Sequence, residues 1–342
     1  MNIEAFDYFL PKSLIAQHPS AERGTSRLMV VHREDGTIEH TSFREIIHRL
    51  NPGDLLVTNN TRVLPARLMG RRDTGGKCEV LLFPLWNGTN GEWRALIKGA
   101  KKRGTGFRVY FDQDVEAEIT EIKDGKAAIR FLRPDRVADI LQRIGHIPLP
   151  PYIKRADEPS DRTRYQTVFA EKDGSIAAPT AGLHFTEGIL QSLRKKGVGI
   201  ISVTLHIGPG TFRPVKAEEV ERHPMEPEWT EIPAEASLQI EQTKRKGKRV
   251  IAVGTTVTRA LESFSDSEGR IKPDGNFSSL FIFPPYRFRI VDGLLTNFHL
   301  PKSTLIMLAS AFAGSDLLMR AYQEAVKEKY RFYSYGDAML IL

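Results

Sequence analysis

The chain has 342 residues, 41% hydrophobic and 27% charged, with a formal net charge of +7. That length sets an expectation of two domains, and the positive charge favours a polyanionic partner such as nucleic acid. The single cysteine, Cys78, excludes a disulfide framework, and the absence of any run of about 18 apolar residues excludes a membrane span. The N-terminus MNIEAFDYFLPKSL lacks the basic and apolar regions of a secretory signal, so a cytoplasmic protein is expected.

In chain order, Ser42-Phe43-Arg44-Glu45 has the pattern of a capping box opening the short helix FREIIHRL, which Asn51-Pro52-Gly53 stops. The apolar run of DLLVTNNTRV predicts a buried strand. From about residue 66 to 150 the texture changes. CEVLLF, EWRALIKG, FRVYF, VEAEITEI and KAAIRFL are short β-type runs separated by Gly, Asn and Asp, which predicts a small barrel or sandwich closed by the helix RVADILQRIG. The proline-dense HIPLPPYIKR reads as an extended crossing between domains.

Helices and strands then alternate. TEGILQSLRKKG has Thr186 as N-cap and Gly197 as stop, and PAEASLQIEQTKRKG starts at Pro233 and ends at Gly247. STLIMLASAFAG is capped by Ser303 or Thr304, and SDLLMRAYQEAVKEKY leads to a last strand near YGDAMLIL. The expected fold class is α/β: a mostly parallel sheet covered by helices, built from residues 1–65 and 151–342, with the β-rich unit 66–150 inserted.

Three strand-like runs end in a histidine among Gly, Pro and Thr: His184 in SIAAPTAGLHFT, His206 in VTLHIGPGTF and His299 in LLTNFHLPKST. Loops at the carboxyl ends of parallel strands gather ligands, and a neutral imidazole there can move protons near neutral pH. Each His could equally hydrogen-bond a loop backbone and pack. A metal is not expected, because the nine histidines are scattered and no metal-ligand spacing occurs.

Gly254-Thr255-Thr256 follows a clear strand and opens a helix whose N–H groups could hold a carboxylate, unless a threonine simply caps it. Gly208-Pro209-Gly210-Thr211 allows close backbone approach to a ligand or forms only a tight turn. Asn59, Asn60, Thr61 and Arg62 offer dense polar groups after a strand, or form a purely structural loop, and Glu262, Asp292 and Asp337 are possible carboxylate partners, each equally a cap or a surface acid. Residues 91–110 carry Arg94, Lys98, Lys101, Lys102, Arg103 and Arg108 against the single acid Glu92, interleaved with Trp93, Phe107 and Tyr110. That suits phosphate contacts and stacking, or a solvated hairpin whose aromatics face inward. A second basic cluster, Lys244 to Arg249, sits at a helix C-terminus, where such residues are favoured anyway.

Over nearly its whole length the chain resembles the bacterial S-adenosylmethionine:tRNA ribosyltransferase-isomerase family of queuosine synthesis. The resemblance is carried by FDYFLPKSLIAQHP, GDLLVTNNTRVLPARLMG, GSIAAPTAGLHFTEGIL, VTLHIGPGTFRPV, RVIAVGTTVTRALES and VDGLLTNFHLPKSTLIMLASAFAG. It implies an α/β domain with an inserted β-barrel. It also implies transfer and isomerisation of the ribosyl portion of S-adenosylmethionine onto 7-aminomethyl-7-deazaguanine at the tRNA wobble position, giving epoxyqueuosine-tRNA, adenine and methionine. S-adenosylmethionine is then a co-substrate, no prosthetic group is needed, and a monomer is expected.

The matching residues imply His184, His206 and His299 for proton transfer. Thr180, Gly182, Gly208, Gly210, Thr211, Gly254, Thr255, Thr256 and Asn297 are implied for the substrate pocket. Arg94, Lys98, Lys101, Lys102 and Arg103 are the residues expected to meet tRNA. Two positions depart from the family pattern: Glu226 replaces the second His of an HxMHxE motif, and Pro285 replaces a Gly. The rival readings are an RNA methyltransferase using the same co-substrate and a non-catalytic tRNA-binding module.

Overall fold

The structure, a computed structural model, describes residues 1–87, 92–98, 105–112, 114–123, 125–133, 137–208, 210, 215 and 217–342, with the backbone alone for 84–87. β1 (Arg27–Val31), β2 (Ile38–Ser42), helix α1 (Ile46–Arg49), β3 (Leu55–Asn59) and β4 (Thr61–Val63) come first. Ser42 makes no capping bond, contrary to the capping-box pattern. It is still paired in β2, and the chain turns on the fully buried Phe43 through a 3-10 turn. The expected helix is therefore reduced to the single turn α1.

β5 (Arg67–Arg72), β6 (Lys77–Asn87), β7 (Glu92–Lys98), β8 (Phe107–Phe111), β9 (Glu116–Lys123) and β10 (Lys126–Phe131) close into an antiparallel barrel in the order β10-β7-β6-β5-β8-β9. The period of two along these strands drives the closure. In β8, Phe107, Val109 and Phe111 point inward while Arg108 and Tyr110 are exposed. α2 (Val137–Ile144) packs Val137, Ile140 and Leu141 onto the barrel core, and Ile176 joins it from beyond the barrel.

The remaining elements are α3 (Asp161–Arg164), β11 (Lys172–Ser175), α4 (Glu187–Lys195), β12 (Gly199–Leu205), β13 (Glu228–Ile232), α5 (Ala234–Arg245), β14 (Val250–Val253), α6 (Thr255–Ser263), β15 (Asp274–Ser278), β16 (Gly293–Asn297), α7 (Thr304–Ala313), α8 (Ser315–Lys327) and β17 (Ala338–Ile341). The strands β12–β17 join β1–β3 in one sheet in the order β15-β13-β12-β3-β14-β16-β17-β1-β2, while β11 pairs in parallel with β4 as a separate two-stranded sheet.

Its centre, β12-β3-β14-β16, is parallel. β13, β15 and β2 extend it antiparallel at the flanks, and β17 runs antiparallel to β16 and parallel to β1. The sheet is thus mixed around a parallel core. Every residue of β3 and β14 is buried, as a strand covered on both faces requires. Alternate residues divide between the faces. Leu55, Val57, Val250 and Ala252 meet α5–α8, while Leu56, Ile251 and Val253 meet α1 and α4.

Thr186 and Ser303 cap α4 and α7 through side-chain bonds of 3.3 Å each, as their sequence positions predict. The Pro284–Pro285 bond is cis. No single helix among the described residues is long and apolar enough to cross a membrane; α7 and α8 reach that length only as a pair bent by 116°. In the parallel centre, the carboxyl ends of β3, β12, β14 and β16 lie at one edge, followed by Asn60, His206, Gly254 and Phe298.

Candidate active site at the sheet edge

At that edge lies a small cleft with about 30 Å³ of free space. Its polar lining is Thr180, Gly254, Thr255, Thr256, Thr296, Asn297 and His299, and Ala178, Ala181, Ile207 and Leu305 give it apolar walls. The segment before α4, the loop after β12, the start of α6 and the end of β16 all contribute, because parallel strands deliver their following loops to one place.

The three histidines are buried, and each has one ring nitrogen 2.7 Å from a hydroxyl: Ser26 for His184 Nδ1, Thr61 for His206 Nδ1 and Thr296 for His299 Nε2. They then diverge. His299 lines the cleft, and its Nδ1 has no partner among the described residues. His184 has its Nε2 3.1 Å from Asn297 Nδ2, so both its ring nitrogens are engaged. His206 stands apart from the cleft lining, between Thr61 and Gly174, although the next residue, Ile207, reaches it. Gly174, with φ of 148°, is needed there, since a Cβ would sit 2.6 Å from the His206 ring.

Burial makes all three weak bases. Desolvation pushes His184 down to about 3, with Arg23 and Arg331 adding repulsion, and pushes His299 to about 3 unaided. It lowers His206 to about 4, opposed by Glu231 and assisted by Lys172. The imidazoles are neutral at physiological pH.

Asn297 is fixed by its surroundings. Its Nδ2 faces the carbonyls of Tyr333 at 3.2 Å and Asp337 at 3.4 Å as well as His184, which sets the amide orientation and leaves Oδ1 without a partner among the described residues. Tyr333 presents that carbonyl from a left-handed backbone, φ 71°, a conformation that costs energy for a non-glycine residue. Thr256 Oγ1 is likewise buried without a partner among the described residues.

Other candidates are engaged in holding the fold. Asn59 bonds both backbone groups of Leu205, Asn60 receives Thr204 Oγ1 and donates to Glu171, and Arg62 is exposed beside Ala170 and Asp173. A Cβ on Gly182 would meet Thr167 at 2.9 Å, and one on Gly210 would meet Glu226 at 3.1 Å. Thr211 lies outside the described residues.

The acids follow the structural alternative. Glu262 accepts the backbone N–H groups of Arg289, Ile290 and Val291. Asp337 accepts those of Arg27 and Arg331, and Asp292 binds Lys244 and Val250 N–H. Among the described residues no three His, Cys, Asp or Glu side chains converge to hold a metal ion.

Sequence reasoning missed the hydroxyl partners Ser26 and Thr296 and the ion pair behind the cleft. Glu228 and Arg259 meet at 2.7 Å with side chains only 4% exposed, and Glu228 Oε1 accepts the Gly208 N–H at 3.0 Å. This pair holds the start of the Gly208 loop against α6. Lys126 of the barrel reaches Glu226 at 3.6 Å, so the position that departs from the HxMHxE pattern meets the barrel.

On the barrel, Arg94 is exposed and Lys98 pairs with Glu79 at 3.0 Å; Lys101, Lys102 and Arg103 lie outside the described residues. Phe107 is buried in the barrel core and Trp93 packs partly against it, while Tyr110 is 40% exposed. In the second basic cluster, Lys244, Arg245 and Arg249 are paired with Asp292, Glu241 and Asp54.

Residues 3–341 match the sequence profile of a family described as queuosine biosynthesis protein. The chain is 50% identical over 344 residues to the S-adenosylmethionine:tRNA ribosyltransferase-isomerase of Sulfurihydrogenibium sp. (strain YO3AOP1), and 51% identical over 345 residues to that of Halothermothrix orenii; 100% of each chain is covered in both cases. A crystal structure of S-adenosylmethionine tRNA ribosyltransferase from Thermotoga maritima is 38% identical, with a TM-score of 0.56, covering 99% of this chain and 100% of its own.

Proposed function

Because the chain belongs to the S-adenosylmethionine:tRNA ribosyltransferase-isomerase family of queuosine biosynthesis, we propose that the cleft at the sheet edge is where S-adenosylmethionine binds and reacts. The enzyme transfers and isomerises the ribosyl portion of S-adenosylmethionine onto 7-aminomethyl-7-deazaguanine at the tRNA wobble position. Epoxyqueuosine-tRNA, adenine and methionine are the products. The observation that carries the siting is the convergence of Thr255, Thr256, Asn297 and His299 on one cleft at the carboxyl ends of parallel strands.

The chemistry asks for a neutral base next to a cation. The sulfonium acidifies the ribosyl CH₂ protons beside it, and removal of one gives an ylide. Adenine loss, attack by the aminomethyl nitrogen and displacement of methionine then build the epoxide. Burial keeps His299 unprotonated, so it does not repel the sulfonium. In the tautomer whose Nε2–H donates to Thr296, its Nδ1 lone pair is open. His299 is the first candidate for that proton and His206, with Nε2 open, the second. His184, engaged on both sides, acts as a positioning residue through Asn297.

The barrel carries the tRNA phosphates on Arg94, Lys98 and the adjoining Lys101, Lys102 and Arg103. The enzyme acts as a monomer in the cytoplasm, which light scattering and fractionation would check.

Single-turnover analysis with labelled S-adenosylmethionine and tRNA bearing the modified base tests the reaction. Adenine and methionine released one-for-one with modified tRNA is the expected result. Formation of S-adenosylhomocysteine instead would make the protein a methyltransferase, and turnover of neither substrate would leave a binding module.

A further inference from the structure

Two buried oxygens in the cleft have no partner among the described residues, Thr256 Oγ1 and Asn297 Oδ1. Their residues are only 6% and 2% exposed. A polar atom removed from water and left unpaired is costly, and two of them lining one small cleft mark where ligand atoms belong. The two differ in kind. Asn297 Oδ1 can only accept, because its Nδ2 is committed to the Tyr333 and Asp337 carbonyls and His184. Thr256 Oγ1 can donate, and it sits in the first turn of the nine-residue helix α6.

That helix start is open. Its N-cap is Gly254, with φ of 97°, and no side chain caps it. The backbone bonds of the turn begin with Thr258 N–H to the Gly254 carbonyl. Neither Thr255 nor Thr256 takes the capping role that the sequence allowed, so the positive end of the helix dipole faces a cleft with no acid among its described lining residues.

We propose that this end of the cleft takes the α-amino-carboxylate head of S-adenosylmethionine. The carboxylate lies at the start of α6 with the Thr256 hydroxyl donating to it, and the ammonium donates to Asn297 Oδ1. The methylene chain then runs along Ala181, Ile207 and Leu305. An adenine edge also offers a donor beside acceptors, but it is uncharged and gains little from a helix N-terminus, whereas a carboxylate gains from both the dipole and the hydroxyl. This assignment rests on the reading of the cleft as the S-adenosylmethionine site.

The test is the Thr256→Val variant, with affinity measured by calorimetry for S-adenosylmethionine, for its decarboxylated analogue and for free adenine. Valine matches threonine in shape, and the hydroxyl has no internal bond to lose, so the fold should hold, with a melting temperature equal to or above that of the parent. The expected result is a loss on the order of tenfold to a hundredfold for S-adenosylmethionine, with the decarboxylated analogue and adenine within about twofold of the parent. Equal losses for S-adenosylmethionine and the decarboxylated analogue overturn the placement of the carboxylate while leaving the cleft as the site. A loss for free adenine puts the base at this end instead. No loss for any of the three overturns the contact between the carboxylate and Thr256.

Discussion

The barrel and the carboxyl edge of the large sheet are buried in opposite ways. Inside the barrel the buried side chains are mainly apolar, Val80, Leu82, Ala95, Val109, Ile119 and Ile129 among them, and charges stand outside in exposed pairs such as Arg130–Glu92 at 2.8 Å. At the sheet edge the buried groups include three imidazoles, Thr256, Asn297 and the Glu228–Arg259 pair. Taken out of water, polar groups act directionally and strongly. Left in water, charges act through long-range attraction that salt screens. On the proposed reading, the same chain separates a site for bond making from a surface that holds a polyanion.

The largest effect should come from the cleft itself. Replacing His299 by Ala is expected to lower kcat by about 10²- to 10⁴-fold, the usual worth of a positioned acid or base. Circular dichroism should show the fold intact and S-adenosylmethionine affinity should change little. His184→Ala should instead raise KM as well, because Asn297 loses one of the acceptors that orient it. If His299→Ala keeps full single-turnover rate while His206→Ala does not, the proton moves to His206 and the cleft serves binding alone.

The second contrast is between ion pairs. Glu228→Ala leaves the Arg259 guanidinium buried without its carboxylate and is expected to cost about 3–5 kcal/mol in urea unfolding. The exposed barrel pair should respond far less to Arg130→Ala, about 0–1 kcal/mol. Similar losses for the two would erase the distinction drawn between the regions.

These contrasts also show what the sequence could and could not display. The His206 and His299 loops and Gly254-Thr255-Thr256 were legible because an apolar run followed by polar residues marks a strand end, and parallel strands bring such ends together. His184 was not, because it lies in a 3-10 turn after β11, which pairs with β4 outside that sheet. The barrel was legible from its period-two runs. The partners were not. Ser26 lies 158 positions from His184, and Thr61 lies 145 from His206, so no local period couples them. Asp292, Asp337 and Glu262 were open in sequence between carboxylate partners, caps and surface acids; each binds backbone N–H, a use that leaves no compositional trace. The Ser42 capping box failed because Ser42 stayed in its strand and buried Phe43 set the turn.

A third test addresses the barrel's charge. Replacing Lys101, Lys102 and Arg103 together by Ala should weaken tRNA binding and flatten the slope of log affinity against log salt by up to about two to three units, at roughly 0.7–0.9 per phosphate neutralised. S-adenosylmethionine, a sulfonium cation, should bind as before. An unchanged slope would return these residues to the role of a solvated hairpin and leave the net charge of +7 to steer tRNA diffusely.

A fourth contrast separates the regions by pH. His184, His206 and His299 fall from the ordinary 6.5 to about 3, 4 and 3 in the folded protein. Above pH 6.5 they are neutral whether the chain is folded or not, and the stability is whole. As the pH falls below 6.5 the unfolded chain takes up protons that the folded chain refuses, so stability is lost progressively until the pH reaches the folded values. Each histidine contributes at most about 1.4 kcal/mol per pH unit in that window. Residues 66–145 contain no histidine, so the barrel lacks this source of loss. Hydrogen exchange corrected for intrinsic rates should therefore show protection of β14 and β16 amides falling from pH 6.5 to 5 while that of β5 and β8 holds. In His206→Asn the sheet's loss per pH unit should shrink by about one histidine's share. Equal loss in barrel and sheet, or no change in His206→Asn, would mean that the buried imidazoles do not govern the acid response and that the two regions unfold as one.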